Sequence, residues 1–167
     1  WLPPVNMNGE KVTKIAGEIN LISIKQKSAF KDKGITKVSD WGNIEEIGDN
    51  AFQNNQLTSL PDSWGSVTNI GNNVFRNNQL TSLPDSWGNV TNIGHASFAG
   101  NQLSYLPESW GNITEISTYA FENNKLKSLP NSWGNVTRID SSAFENNQLT
   151  SIPSDWGKVE YIGHNTF

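Results

Sequence analysis

The sequence has no cysteine, two histidines, one methionine and three tyrosines, and only 17% of its 167 residues are charged. Without cysteine there is no disulfide framework, no zinc ribbon and no thiol nucleophile. Two histidines with no neighbouring ligand residue leave little from which to build a transition-metal site. No stretch approaches the roughly 18 apolar residues of a membrane-spanning helix. A net charge of −4 offers no electrostatic footprint for nucleic acid. In excess are asparagine (23 residues), glycine (14), phenylalanine (7) and tryptophan (7). Such an aromatic content is foreign to disordered chains.

The aromatic residues form a ladder. Phenylalanines stand at 30, 52, 75, 98, 121, 144 and 167, spaced by 23 after the first step. Tryptophans stand at 41, 64, 87, 110, 133 and 156, and prolines keep step at 61, 84, 107, 130 and 153. The unit reads A-F-x-N-N-x-L-x-S-L-P-x-S-W-G-x-V-T-x-I-G-x-x, as in Ala51 to Asn73. A fixed period of this length means a solenoid or an array.

One unit cannot stand alone. It offers six large apolar side chains (Phe52, Leu57, Leu60, Trp64, Val67 and Ile70). Against them stands the ordering of its backbone at roughly 1–2 kcal/mol per residue. Stacked neighbours share one continuous core, which is where repeat proteins find their stability. Helices are excluded by the proline after Leu or Ile and the glycine after Trp in each unit. The short runs rich in Leu, Ile, Val and Thr predict one strand near Leu57–Leu60 and another near Val67–Ile70. Turns are expected at Pro61–Gly65 and Gln53–Asn55. Asn55, Asn78, Asn101, Asn124 and Asn147 form a column whose amides would bond turn backbone and one another.

The spacing N-x-L-x-x-L, as in Asn55-Gln56-Leu57-Thr58-Ser59-Leu60, marks a leucine-rich repeat. The longer pattern I-G-x-x-A-F-x-N-N-Q-L-T-S-L-P, clearest at Ile47–Pro61, Ile70–Pro84 and Ile139–Pro153, resembles the BspA-like leucine-rich repeats of bacterial surface proteins. The W-G-N-V-T-N-I segment is similar to a related surface-protein repeat. The expected fold is a β-rich, right-handed solenoid, a leucine-rich-repeat superhelix of 23-residue coils over residues 30–167. Residues 1–29 are expected to form an N-terminal cap or a degenerate first coil, and the chain reads as a fragment cut at a repeat boundary. Residues 1–37 hold seven lysines and three acids, a balance of +4, while the remainder holds five basic and 13 acidic residues.

The resemblance implies a non-enzymatic, secreted or wall-anchored bacterial module that binds a host matrix or cell-surface protein. A structural spacer displaying another domain from the cell wall is the alternative. A carbohydrate-binding module is a further one, and it requires the tryptophan column to be exposed. No nucleic acid, membrane insertion, metal or cofactor is expected. Asp62, Asp85 and Glu108, with Asn131 next and Asp155 nearby, make a carboxylate column of the kind that suits calcium. Its break at Asn131 favours ordinary turn residues after proline. Three sequons at Asn89, Asn112 and Asn135 follow from the repeat itself. No serine lies beside a His–Asp pair. Binding must use positions that vary between copies, and exposed Tyr and Arg most often anchor interfaces. Tyr105, Tyr119, Arg138 and Tyr161 are therefore the expected partner-binding residues.

Overall fold

The computed structural model describes residues 14–15, 23–24, 27–38 and 44–167. Among them the regular elements are strands of two residues each. They are β1 (Lys14–Ile15), β2 (Ser23–Ile24), β3 (Lys37–Val38), β4 (Glu46–Ile47), β5 (Asn69–Ile70), β6 (Asn92–Ile93), β7 (Glu115–Ile116), β8 (Arg138–Ile139) and β9 (Tyr161–Ile162). All pairings are parallel, giving one sheet of β1 and β3, one in the order β2-β4-β5-β6, and one of β7-β8-β9. Partners stand 23 residues apart, as in Glu46↔Asn69 and Asn69↔Asn92. The same offset reaches back to Ser23↔Glu46 and Lys14↔Lys37. The chain is a repeat solenoid. The expected cap lies mostly outside the described residues, as do Trp1 and Trp41.

The strands are short because each is punctuated at once. Ile47, Ile70, Ile93, Ile116 and Ile139 point inward and are buried, and a left-handed residue follows three positions later. Asn50 (φ 58°), Asn73 (φ 53°) and Asn165 (φ 53°) hold that position in three coils, and asparagine tolerates it better than most residues. Ala96 (φ 51°), Tyr119 (φ 59°) and Ser142 (φ 56°) hold it in the others. A second left-handed residue follows at Asn54, Asn77, Gly100, Asn123 and Asn146.

The expected strand at Leu57–Leu60 is absent. The Leu57 amide donates to the side-chain oxygen of Asn78 at 3.0 Å, so a backbone carbonyl loses the partner it needs for a ladder. One backbone bond between coils survives there, Gln79 N to Leu57 O at 2.9 Å. The β-rich expectation thus holds only for the two-residue bridges. The turn at Pro61–Gly65 is present, with Asp62–Trp64 forming a 3₁₀ turn. The other turn begins earlier than expected, at 49–52, leaving Asn54 as a bend.

The core is built from columns. Phe52, Phe75, Phe98, Phe121 and Phe144 are fully buried, and their rings stack at 5.5–5.6 Å from one coil to the next. Trp64, Trp87, Trp110 and Trp133 are equally buried, with Trp87 and Trp110 stacked at 6.1 Å and 3°. Such aromatic pairs add about 0.5–1.5 kcal/mol beyond burial. Each indole from Trp87 to Trp156 also donates to a proline carbonyl of the preceding coil, as Trp110 does to Pro84 at 3.0 Å. The buried asparagines bond backbone rather than one another. Asn78 Nδ2 donates to Phe52 O at 2.9 Å and Phe75 O at 3.0 Å. The amide-to-amide contact lies one residue earlier, Asn77 Nδ2 to Asn54 Oδ1 at 2.9 Å.

One seam interrupts the regularity. Gly48, Gly71 and Gly94 each donate an amide to the isoleucine or equivalent carbonyl of the coil before, at 2.8 Å. At the next coil the position is Ser117, whose hydroxyl bonds Ile93 O at 2.7 Å instead. Gly94 itself has little room, since a Cβ placed there would lie 2.6 Å from the Gly71 carbonyl. No strand bridge joins β6 to β7, although they remain side by side. The amide ladder resumes at Asp140, bonded to Ile116 O at 2.8 Å.

Candidate interaction surface

Burying the aromatic columns leaves a surface made of strand residues, turn residues and the segment before each proline. On the strands, the residue preceding each isoleucine faces outward: Glu46, Asn69, Asn92, Glu115, Arg138 and Tyr161. Here the structure brings two of the expected anchors together. The Arg138 guanidinium lies 4.2 Å from the centre of the Tyr161 ring, while its Nε donates to Asp140 at 2.7 Å. A cation over an aromatic face is attracted by the ring quadrupole, and the carboxylate holds the guanidinium in that pose. Asp140 was not expected to take part. Its signal was present in the sequence, as an acid two residues after Arg138 where the other copies place glycine or, at Ser117, serine.

Tyr119 and Tyr105 lie elsewhere. Tyr119 occupies the left-handed turn position, and its ring meets His95 edge-on at 5.5 Å. Tyr105 lies in the segment before Pro107 and is 51% exposed, the most open of the three tyrosines. The four residues therefore decorate three parts of the coil rather than one contiguous site.

The tryptophan column cannot serve as a sugar-stacking strip. From Trp64 to Trp133 it is wholly shielded, and Trp156 is buried too. The reason is geometric: each indole nitrogen from Trp87 to Trp156 reaches the preceding coil's proline carbonyl, which turns the ring inward. The carboxylate column is also engaged in part. Glu108 accepts the Ser132 hydroxyl at 2.6 Å and the Ser132 amide at 3.0 Å, and its hydroxyl partner first, then the amide, hold the carboxyl below its ordinary pKa. Asp49 is lowered by the Asn72 amide and then by Lys27. Among the described residues no three His, Asp or Glu side chains gather as metal ligands. The sequon amides are internal bonds, with Asn89, Asn112 and Asn135 donating to Gly65, Gly88 and Gly111 at 2.9–3.0 Å. Among the described residues no helix is long and apolar enough to cross a membrane.

A family model described as the BspA-type leucine-rich repeat region matches in six copies, over residues 7–127 and 68–167. The chain belongs to the BspA-type leucine-rich repeat family. No curated protein matches it in sequence. Among solved structures it is similar to YopM, a leucine-rich effector protein from Yersinia pestis. Identity is 23%, the TM-score is 0.47, and the match covers 86% of this chain and 42% of that one. The chain thus spans less than half the length of that relative. Leucine-rich repeats generally mediate protein binding, so this BspA-type solenoid is assigned at the coarse level as a repeat protein-interaction module.

Proposed function

We propose that this BspA-type solenoid is a non-enzymatic, adhesin-type module that acts outside a bacterial cell, secreted or anchored in its wall. Its ligand is a protein of a host matrix or cell surface. The solenoid is read as a right-handed superhelix of 23-residue coils from residue 30 onward. Residues 1–29 form a degenerate first coil or cap, a reading supported by the 23-residue pairing of Ser23 with Glu46.

The observation that carries the functional reading is Tyr119. Three other copies hold asparagine at this left-handed position, and a bulky side chain there is strained by about 1–2 kcal/mol. Strain retained at an exposed aromatic residue points to a role in recognition. Arg138 and Tyr161 supply a second anchor, already posed by Asp140.

The test is capture of purified matrix proteins by the immobilised chain. Replacement of Tyr105, Tyr119, Arg138 and Tyr161 by alanine is expected to weaken capture by about tenfold or more, which is about 1.4 kcal/mol. Unchanged capture would refute the assignment. The spacer reading has its own support in the near-identical copies and the unbroken phenylalanine stack. It would lead if no protein ligand were captured at all.

A further inference from the structure

The segment before each proline repeats almost without change. It reads Gln-Leu-Thr-Ser at 56–59, 79–82 and 148–151, with the leucine turned inward and the other three residues facing out, exposed but for a half-buried Ser82. Only two copies depart, and they are consecutive. Residues 102–105 read Gln-Leu-Ser-Tyr, and residues 125–128 read Lys-Leu-Lys-Ser. Because the other copies show what the scaffold needs there, Tyr105, Lys125 and Lys127 are not required by packing.

The stacking brings these changes together. The Lys125 amide donates to Leu103 O at 2.9 Å, which fixes the register of the two segments: Tyr105 stands level with Ser128, and Lys127, one position earlier, level with Ser104. The Lys125 ammonium reaches back to the Gln102 side-chain oxygen at 3.1 Å, a neutral partner that leaves its charge uncompensated. No Asp or Glu occurs in any of the five segments. Acids of the same two coils stand on other parts of the chain: Glu108 after the proline, Glu115 on β7, Glu122 after Phe121 and Asp140 after β8.

We propose that Tyr105, Lys125 and Lys127 form a docking patch for an acidic segment of a protein partner. This rests on the protein-binding reading and gives the partner its chemistry. Two ammonium groups beside a half-open phenol ring match a peptide with carboxylates flanking an apolar or aromatic residue. Tyrosine is a frequent hot-spot residue, and the surrounding Gln, Thr and Ser side chains supply a polar rim. An extended polyanion fits less well. The charge of the whole chain is negative, and two lysines act only within a screening length of about 8–10 Å.

The test begins with peptides selected from a random display library on the immobilised 167-residue chain, with heparin as a parallel probe. The decisive variant carries Y105S, K125Q and K127T, which restores the residues of the other copies and so preserves the fold. Selected peptides are expected to be acidic, to lose about tenfold or more in affinity to this variant, and to weaken with salt. Glu115→Gln, on the strand, is expected to change nothing. Selected peptides that bind the variant as tightly as the parent would overturn the patch while leaving the protein-binding reading intact. Heparin binding lost in the variant, with no acidic peptides selected, would overturn the assigned partner class. Failure to select any peptide would overturn the protein-binding reading beneath both.

Discussion

Asn101 is buried, and its amide is bonded on both ends. Its Oδ1 accepts from the Leu80 amide at 3.1 Å, and its Nδ2 donates to Phe75 O at 2.9 Å and Phe98 O at 3.0 Å. One side chain thus ties three backbone groups across two coils. Asn101→Asp keeps the shape but faces carboxylate oxygen toward two carbonyls. We expect a loss of roughly 2–4 kcal/mol at neutral pH by urea denaturation. The repulsion raises the carboxyl's folded-state pKa, so the variant should recover stability as pH falls and the neutral acid donates one bond. Tyr119→Asn should act in the opposite direction, raising stability by about 0.5–1 kcal/mol through relief of the left-handed strain. Partner capture by the same protein should fall. The periodicity made both columns visible, but it gave no sign of φ. The only trace of Tyr119's strain in the sequence was that Asn50, Asn73 and Asn165 share its column.

At the level of the element, Ser117 sets the place where the ladder opens. Ser117→Gly removes the hydroxyl that occupies Ile93 O and leaves that carbonyl for the amide, as Gly94 bonds Ile70 O at 2.8 Å. Hydrogen exchange at Thr114 and residue 117 should then slow toward the rates at Thr91 and Gly94; unchanged rates would mean the seam has another cause. The strand at Val67–Ile70 was readable because its inward isoleucines recur with Thr and Val around them. The absent strand at Leu57–Leu60 was misread because two leucines three apart look like a buried strand. Its outcome depends on Asn78, some 20 residues away in sequence, taking the amide that a ladder would have used. Nothing local to the segment reveals that competition. The candidate patch followed the same logic: Tyr105 stood out alone, while Lys125 and Lys127 gained meaning only once stacking placed them beside it.

Across the whole molecule, each coil protects the one before it. Ile162 is 52% exposed and Phe167 45%, whereas their counterparts Ile139 and Phe144 are buried. Within these 167 residues, the coil of Ile162 is covered by the coil before it. In the 167-residue chain Ile162→Ala should therefore cost under about 1 kcal/mol, while Ile93→Ala should cost about 2–4 kcal/mol. Equal losses in thermal denaturation would contradict the dependence of each coil on its neighbours. Amide protection should likewise fall toward Gly163. The solenoid architecture was the most legible property of all, because a repeat states its long-range contacts by its period. The end effects were not, since identical sequence columns have different burial according to position.

The tryptophan column has an optical consequence. Trp87 lies 5.9 Å from Trp64 and 6.1 Å from Trp110, and Trp133 lies 6.3 Å from Trp156. Chromophores this close pass excitation among themselves before they emit. The rings are parallel to within 3–4° at Trp87–Trp110 and Trp133–Trp156, so transfer between them keeps the polarisation and emission from the folded chain should stay strongly polarised. Unfolding frees the rings to rotate, so the steady-state anisotropy should fall as the stack comes apart. The same column that closes the core thereby reports, coil by coil, on whether it is intact.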